Sequence, residues 1–296
     1  MGPEILPEQR RCREETVLEW EEKMFWTRLA SGVVLLILAV GSMALGGIPL
    51  ALILWGISLA AFREMTRALQ CAGEGRRPNC LEWIGMAGIT AYYLLMYLSG
   101  DPTFLLMCIV GAFMGVMFAY VISFPRHQAP QAVSVIFSFI YAPVLLSFVY
   151  LTRMCHQGIY VVWMILISSW GCDTFAYVVG KLIGKKKIFP VLSPKKSLEG
   201  CIGGVLGAGA LGYLYGILFV ERAFPEQSVA WMIAVICGIG AVMSMVGDLA
   251  ASAIKRNMGI KDYGKLIPGH GGIMDRFDST IVTAPMTYFL AITLLL

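Results

Sequence analysis

Charge is scarce in this chain. Of its 296 residues only 14% are Asp, Glu, Lys or Arg, against 58% that are hydrophobic, and the mean hydropathy is +0.73. Soluble domains carry about a quarter charged residues, so a water-soluble globule is excluded for want of polar surface. Cysteine offers no framework either. The eight cysteines (12, 71, 80, 108, 155, 172, 201, 237) are scattered without a Cys-x-x-Cys pair, which argues against a disulfide scaffold or a zinc site. The three histidines, His127, His156 and His270, are too dispersed to suggest a metal cluster. No Gly-x-x-x-x-Gly-Lys-Ser/Thr run occurs, so a Walker-type phosphate loop is missing. No repeat of fixed period is visible. The segment over 1–28 is polar and of mixed charge, so the pattern of a secretory signal fails and none is expected.

What the chain does have is long apolar runs. A spanning helix needs about 20 mostly apolar residues, and nine stretches qualify, at 29–46, 48–63, 83–99, 103–123, 130–151, 158–180, 202–220, 228–249 and 279–296. Such runs favour helices over the short alternating strands of a barrel. The expected fold is therefore an all-α integral membrane protein with nine transmembrane helices. Its basic residues sort by side. The N-terminus and the links after spans 2, 4, 6 and 8 hold 21 of the 23 Lys and Arg, and the opposite links hold two. The positive-inside rule then puts the N-terminus in the cytoplasm and, with nine spans, the C-terminus on the opposite side. Three regions follow: a polar segment over 1–28, helices 1–5 over 29–151, and a catalytic region over 152–296 with helices 6–9 and two cytoplasmic loops.

Chemistry-bearing residues crowd that last region. Asp173 lies inside the sixth span, where a carboxylate costs roughly 2.5–3.5 kcal/mol on insertion scales and by default faces a cavity or partner. A helix–helix hydrogen bond is the plainer alternative. The loop that follows carries Lys181, Lys185, Lys186, Lys187, Lys195 and Lys196. Lys185–Lys187 reads as a charge run gripping anionic headgroups. Ser193-Pro194-Lys195-Lys196-Ser197 reads differently, as a proline-stiffened turn whose lysines and hydroxyls suit a bound polyphosphate. The glycines of the seventh span, among them Gly203, Gly207 and Gly212, suit close helix packing. Asp248 closes the eighth span and Asp275 precedes the ninth. Those helices are consecutive and antiparallel, so the two carboxylates can converge at the cytoplasmic interface although well separated in sequence. Carboxylates beside phosphate-binding lysines are how Mg²⁺ is usually held, with substrate phosphates completing its shell. Lys255, Arg256, Lys261 and Arg276 can neutralise phosphate charge. Pro268-Gly269-His270-Gly271-Gly272 supplies backbone that can approach a ligand closely. The plain alternative for this stretch is an ordinary basic loop capped by Asp and Ser.

The run from Ser252 to Asp278 resembles the phosphatidate cytidylyltransferase (CDP-diacylglycerol synthase) family. The family pattern requires Ser252, Ile254, Lys255 and Arg256, then Lys261-Asp262-x-Gly264. It continues through Ile267-Pro268-x-His270-Gly271-Gly272-Ile273-x-Asp275-Arg276-Phe277-Asp278, and every fixed position of the run is met. The likeness reaches back through Gly247-Asp248 and Ser193–Ser197 to Asp173, covering roughly 168–280. Spans 1–5 match only as generic apolar segments. The resemblance implies that CTP and phosphatidic acid give CDP-diacylglycerol and pyrophosphate with Mg²⁺, a second cation being left open. It implies Asp248 and Asp275 as metal ligands, with Lys255, Arg256, His270 and Arg276 as phosphate contacts or positioning groups. Asp173, Ser193, Lys195, Lys196, Ser197, Lys261, Asp262, Gly271, Gly272 and Asp278 would bind substrate. Ser197 stands where Thr is common.

No protein nucleophile is needed, because the lipid phosphate can attack the α-phosphorus of CTP in line while the protein supplies positioning and charge. The expected setting is a bacterial inner membrane with the site facing the cytoplasm. The expected partners are the two substrates and membrane lipids, with no nucleic acid and a homodimer left open. Two rival readings remain. A CTP-dependent lipid kinase would release CDP. An ion-coupled transporter would use Asp173 and Asp248 as pathway residues, but should show midplane charges and paired broken helices in two halves.

Overall fold

The structure is a computed structural model that describes residues 26, 30–71, 77–222, 228–267 and 271–295. Among the described residues it is helical, with two isolated backbone bridges and no strand. Nine long helices follow in chain order among these residues. They are α1 (Ala30–Leu45), α2 (Gly47–Ala68), α3 (Cys80–Leu98), α4 (Pro102–Ile122), α5 (Ala129–Met154), α6 (Gly158–Ile183), α7 (Leu198–Val220), α8 (Ala230–Asn257) and α9 (Met274–Leu294). Eight are long and apolar enough to cross a membrane, and α1 is a shorter apolar helix. The chain is an all-α integral membrane protein, because lipid forces each spanning segment to satisfy its backbone internally.

Helix limits differ from the apolar runs in one instructive way. Helix α8 continues to Asn257 and α9 begins at Met274, so Lys255, Arg256, Asp275 and Asp278 ride on helix ends and not in a loop. Hydropathy stops at the first charge, whereas a helix continues past the apolar layer as long as its backbone bonds persist.

The helix ends are set by local chemistry. Asn79 and Glu82 form a reciprocal capping box at the start of α3, each side chain accepting the other's backbone N–H at 2.9 Å. Asp101 accepts from Thr103 N at 2.7 Å, and Pro102 takes the first helical position of α4. Helices α1 and α2 are joined through Gly46 alone, at φ +67°. Arg153, at the end of α5, donates to Met43 O at 2.7 Å and Ala44 O at 3.1 Å, closing the exposed carbonyls of α1. The α1–α2 turn and the α5 end thus share one side, as alternating spans require.

Helices α2, α3, α5 and α9 build the main core around Phe62, Met65, Leu81, Ile89, Leu146 and Met274, all fully buried. Polar contacts stitch it: Ser58 and Tyr93 hydroxyls lie 2.7 Å apart, and those of Tyr92 and Ser147 3.0 Å apart. Such bonds average about 0.6 kcal/mol in membrane helices. Helix α4 buries only Leu105, Ala112 and Val116, and its remaining apolar surface suits lipid. Helix α7 packs between α6 and α8, with Val179 filling the space over Gly203 and Phe175 that over Gly207. Three helices contain a π-helical turn, at Ile140–Val144, Ile167–Gly171 and Gly216–Val220. The second lies immediately before the turn that carries Asp173.

Candidate active site

Alternating helices bring the N-terminal ends of α1, α3, α7 and α9 to the same face as the C-terminal ends of α2, α6 and α8. The charged residues of the last region gather there. Asp248 of α8 forms an ion pair with Lys196 of the turn before α7. Asp173 of α6 and Asp278 of α9 lie within electrostatic reach of Asp248. Close packing makes this possible: a Cβ on Gly247 would stand 2.6 Å from the Asp278 carbonyl oxygen. Asp278 Oδ1 also accepts from Ser279 N at 2.7 Å. Three carboxylates against the ammonium of Lys196 leave a local excess of negative charge, costly in a low-dielectric setting unless a cation or a cation-loaded phosphate joins it.

Asp275, one turn earlier on α9, is differently engaged. Its Oδ1 accepts from Lys255 Nζ at 2.8 Å, and its Oδ2 from Tyr263 N at 2.9 Å and Gly272 N at 3.0 Å. Lys255 Nζ also lies over the Tyr263 ring at 5.5 Å, and the Tyr263 hydroxyl donates to Ala251 O at 2.9 Å. Burial pushes the Tyr263 phenol up, so it stays a donor. Asp275 therefore ties α8, α9 and the 258–272 link into one unit. Gly271 sits at φ +85° and its carbonyl accepts from Ile267 N at 2.9 Å. Pro268, Gly269 and His270 lie outside the described residues, so the expectation for His270 falls there.

Two cavities meet at Asp173. The larger, about 990 Å³ with its open mouth, is lined by Asp173, Asp275, Arg276, Asp278 and Ser279 together with Gly32, Leu35 and Leu36 of α1. The second, about 540 Å³, is lined by Asp173, Tyr177, Lys195, Lys196 and Ser197. An apolar chamber of about 740 Å³ adjoins the larger cleft, and Leu35, Ala39, Trp170 and Phe277 line both. The site thus passes from carboxylates and cations to hydrocarbon within a few side chains.

The lysine-rich loop is held by its own backbone and by Glu199. Lys196 N donates to Ser193 O at 3.1 Å, closing the proline turn, while Ser193 takes part through its backbone. Ser197 is 3% exposed and caps α7, accepting from Gly200 N at 3.2 Å, besides lining the second cavity. Glu199 accepts from the backbone of Lys185 at 3.0 Å and Lys186 at 3.2 Å, and Lys187 Nζ donates to Lys195 O at 3.1 Å. Part of the charge run therefore buttresses the turn. Arg256, Lys261 and Asp262 are exposed and line neither cavity. Lys196→Ala should raise the apparent requirement for the nucleotide or lipid substrate about tenfold, the typical worth of one charge-assisted contact. Lys186→Ala should leave it near wild type. Equal effects in initial-rate titrations would make the loop a diffuse patch instead.

Sequence reasoning missed Glu64, Tyr263 and the contribution of α1. Glu64 carried a faint signal, a carboxylate at the very end of an apolar run. Tyr263 and the α1 residues carried none, since an aromatic in a loop and aliphatics in a span are unremarkable.

The fold and the cleft define a class: a multi-span helical membrane protein with a charged site let into one end of its bundle. The chain belongs to the cytidylyltransferase family, whose family model matches residues 26–294, and is a nucleotidyltransferase. It is similar to phosphatidate cytidylyltransferase of Staphylococcus haemolyticus, 28% identical over 272 residues, covering 90% of this chain and 98% of that protein. The Staphylococcus saprophyticus protein of that name is 36% identical over 148 residues, covering 50% of this chain and 55% of the relative. The Staphylococcus aureus protein is 35% identical over 174 residues, covering 58% and 64%. The chain thus spans about half the length of one of these relatives, just under two thirds of another and almost all of a third.

Proposed function

We propose that the protein transfers the cytidylyl group of CTP to phosphatidic acid, giving CDP-diacylglycerol and pyrophosphate. The observation that carries this reading is the junction of the charged cleft with the apolar chamber through Leu35, Ala39, Trp170 and Phe277. Such a junction suits a substrate with a phosphate head and hydrocarbon tails. Family membership and the names of the relatives point the same way.

In this reading a phosphate oxygen of phosphatidic acid attacks the α-phosphorus of CTP. The bond from the α-phosphorus to the oxygen bridging the β-phosphate breaks, and pyrophosphate leaves in line. Lys195 and Lys196 hold phosphate oxygens from the α7 side, and Arg276 from the α9 side. Leu35 and Phe277 shield the reacting phosphate from bulk water. Mg²⁺ fits the donor set. No three acidic, His or Cys side chains among the described residues form a metal cage by themselves, and Mg²⁺ is ordinarily held by one or two carboxylates plus substrate phosphates. We assign it to Asp248 with Asp278, because three hydrogen bonds already use both oxygens of Asp275. When bound, it would neutralise charge on the phosphates.

Incubating purified protein in detergent micelles with labelled CTP, phosphatidic acid and Mg²⁺ tests the reaction. A CDP-lipid with one pyrophosphate per turnover is expected, whereas release of CDP with a phosphorylated lipid would establish a lipid kinase.

The site should face the cytoplasm of a bacterial inner membrane, with position 1 inside and position 296 outside, since 21 of 23 basic residues share one side. CTP is too highly charged to cross lipid, so the reaction demands the same orientation. In sealed right-side-out vesicles of a cysteine-free variant, an impermeant thiol reagent should label Phe224→Cys and spare Leu192→Cys and Lys265→Cys. Labelling of either of the latter would overturn both topology and mechanism.

A further inference from the structure

The first turn of α9 carries Asp275, with Asp278 one turn further on, yet its N-cap residue, Ile273, offers no capping side chain. The exposed N–H groups of a helix start need acceptors, and buried ones need them most. Here they are met from the other end of the chain. Glu64, on the last turn of α2, accepts from Ile273 N at 3.1 Å through Oε1 and from Met274 N at 2.8 Å through Oε2. Glu64 is 6% exposed, and the bonds bridge 209 and 210 residues of sequence. A carboxylate fits this place for two reasons: it accepts with both oxygens, and its charge meets the positive end of the α9 dipole.

The same carboxylate explains two glycines. A Cβ built on Gly264 or on Gly272 would run into the Glu64 side chain. Both glycines belong to the link that Asp275 organises, Gly272 by donating to Asp275 Oδ2 and Gly264 by following Tyr263, which does the same. Glu64 and Asp275 thus both hold the start of α9, one from α2 and one from α9 itself. The neighbouring Arg63 is tied to Glu82 of α3, whose side chain is fully buried, which anchors this end of α2 to α3.

We propose that Glu64 is a positioning residue for the reaction, fixing the start of α9 and so the placement of Asp275 and Asp278. It touches no substrate and acts through the turn. The inference rests on the cytidylyl-transfer reading for its kinetic test but not for its structural one. A cap worth one charge-assisted bond predicts that Glu64→Gln, which turns an amide donor toward one backbone N–H, lowers kcat about tenfold. Glu64→Ala, which leaves both N–H groups bare, should lower it about a hundredfold. In both variants KM for CTP and for phosphatidate should change by less than about twofold, because a displaced reacting centre loses transition-state and not ground-state contacts.

Two further readouts separate positioning from mere support of the fold. Hydrogen exchange of the 271–276 peptide should quicken in Glu64→Ala while peptides of α3 and α5 keep their protection. Gly272→Ala should cost more than about tenfold in kcat alone but less than about twofold in a Glu64→Ala background, since the clash requires the carboxylate. Wild-type kcat in Glu64→Ala, a loss accounted for wholly by a smaller folded fraction, or equal cost of Gly272→Ala in both backgrounds would each overturn the proposal. Should the wild-type protein fail to make a CDP-lipid, the functional reading would fall. The exchange measurement would then still decide the role of Glu64, unchanged protection at 271–276 counting against it.

Discussion

Asp248→Asn and Asp278→Asn should each abolish turnover, lowering kcat by about a thousandfold or more, equivalent to ~4 kcal/mol of transition-state stabilisation. Each substitution keeps the shape of the side chain and removes the charge assigned to the cation. Neither residue is a packing element of the main core, so the variants should elute from size exclusion as the wild type does. Asp278→Asn is the sharper test. A variant retaining more than about a tenth of the wild-type rate, a loss under ~1.4 kcal/mol, would remove Asp278 from the metal assignment and return that role to Asp275.

Asp275→Asn should also be severe, by a different route. The amide oxygen can keep the Tyr263 and Gly272 N–H donors, but the amide NH2 then faces the Lys255 ammonium and the ion pair is lost. Breaking a buried pair costs about 3–5 kcal/mol where one charge is left behind. The 258–272 link should loosen, giving a fall in kcat of about a hundredfold together with faster proteolysis near Lys261 and Lys265. Lys255→Met should produce the same two changes, and the double variant should be little worse than either single one. Loss of activity in Asp275→Asn with an unchanged proteolytic pattern would mean that Asp275 meets the substrate or its cation directly.

These two expectations mark where sequence and structure part. The nine apolar helices, eight of them long enough to span, were legible because lipid makes apolar length a near-complete description of a membrane helix. The motif residues were legible too, as a list. Their division of labour was not. Asp275 and Asp278 stand close together in one run, and only the fold reveals that one oxygen pair is spent on Lys255, Tyr263 and Gly272 while the other carboxylate lies within electrostatic reach of Asp248. Ser197 likewise looked like a phosphate-binding hydroxyl, and its capping of α7 depends on where that helix starts. Glu64 was hidden for another reason. Its partners are backbone amides near the far end of the chain, and no spacing rule reaches that far. The contribution of α1 to the cleft arises from packing of ordinary aliphatic side chains, which carry no pattern of their own.

The π-helical turn at Ile167–Gly171 sets the azimuth of everything beyond it. An α-helix advances about 100° per residue, and a π turn winds one extra residue into its circuit. Asp173 is only two residues past that turn. The phase of α6 is thereby reset between Met164, which faces the fully buried interior, and Asp173, which opens onto two cavities. With an unbroken α-helical repeat the same sequence would carry the carboxylate about a quarter-turn around the cylinder, away from Asp248 and Asp278. A single surplus residue in a hydrophobic stretch works here as a phase shifter, aiming a charge that the bilayer would otherwise have to accommodate.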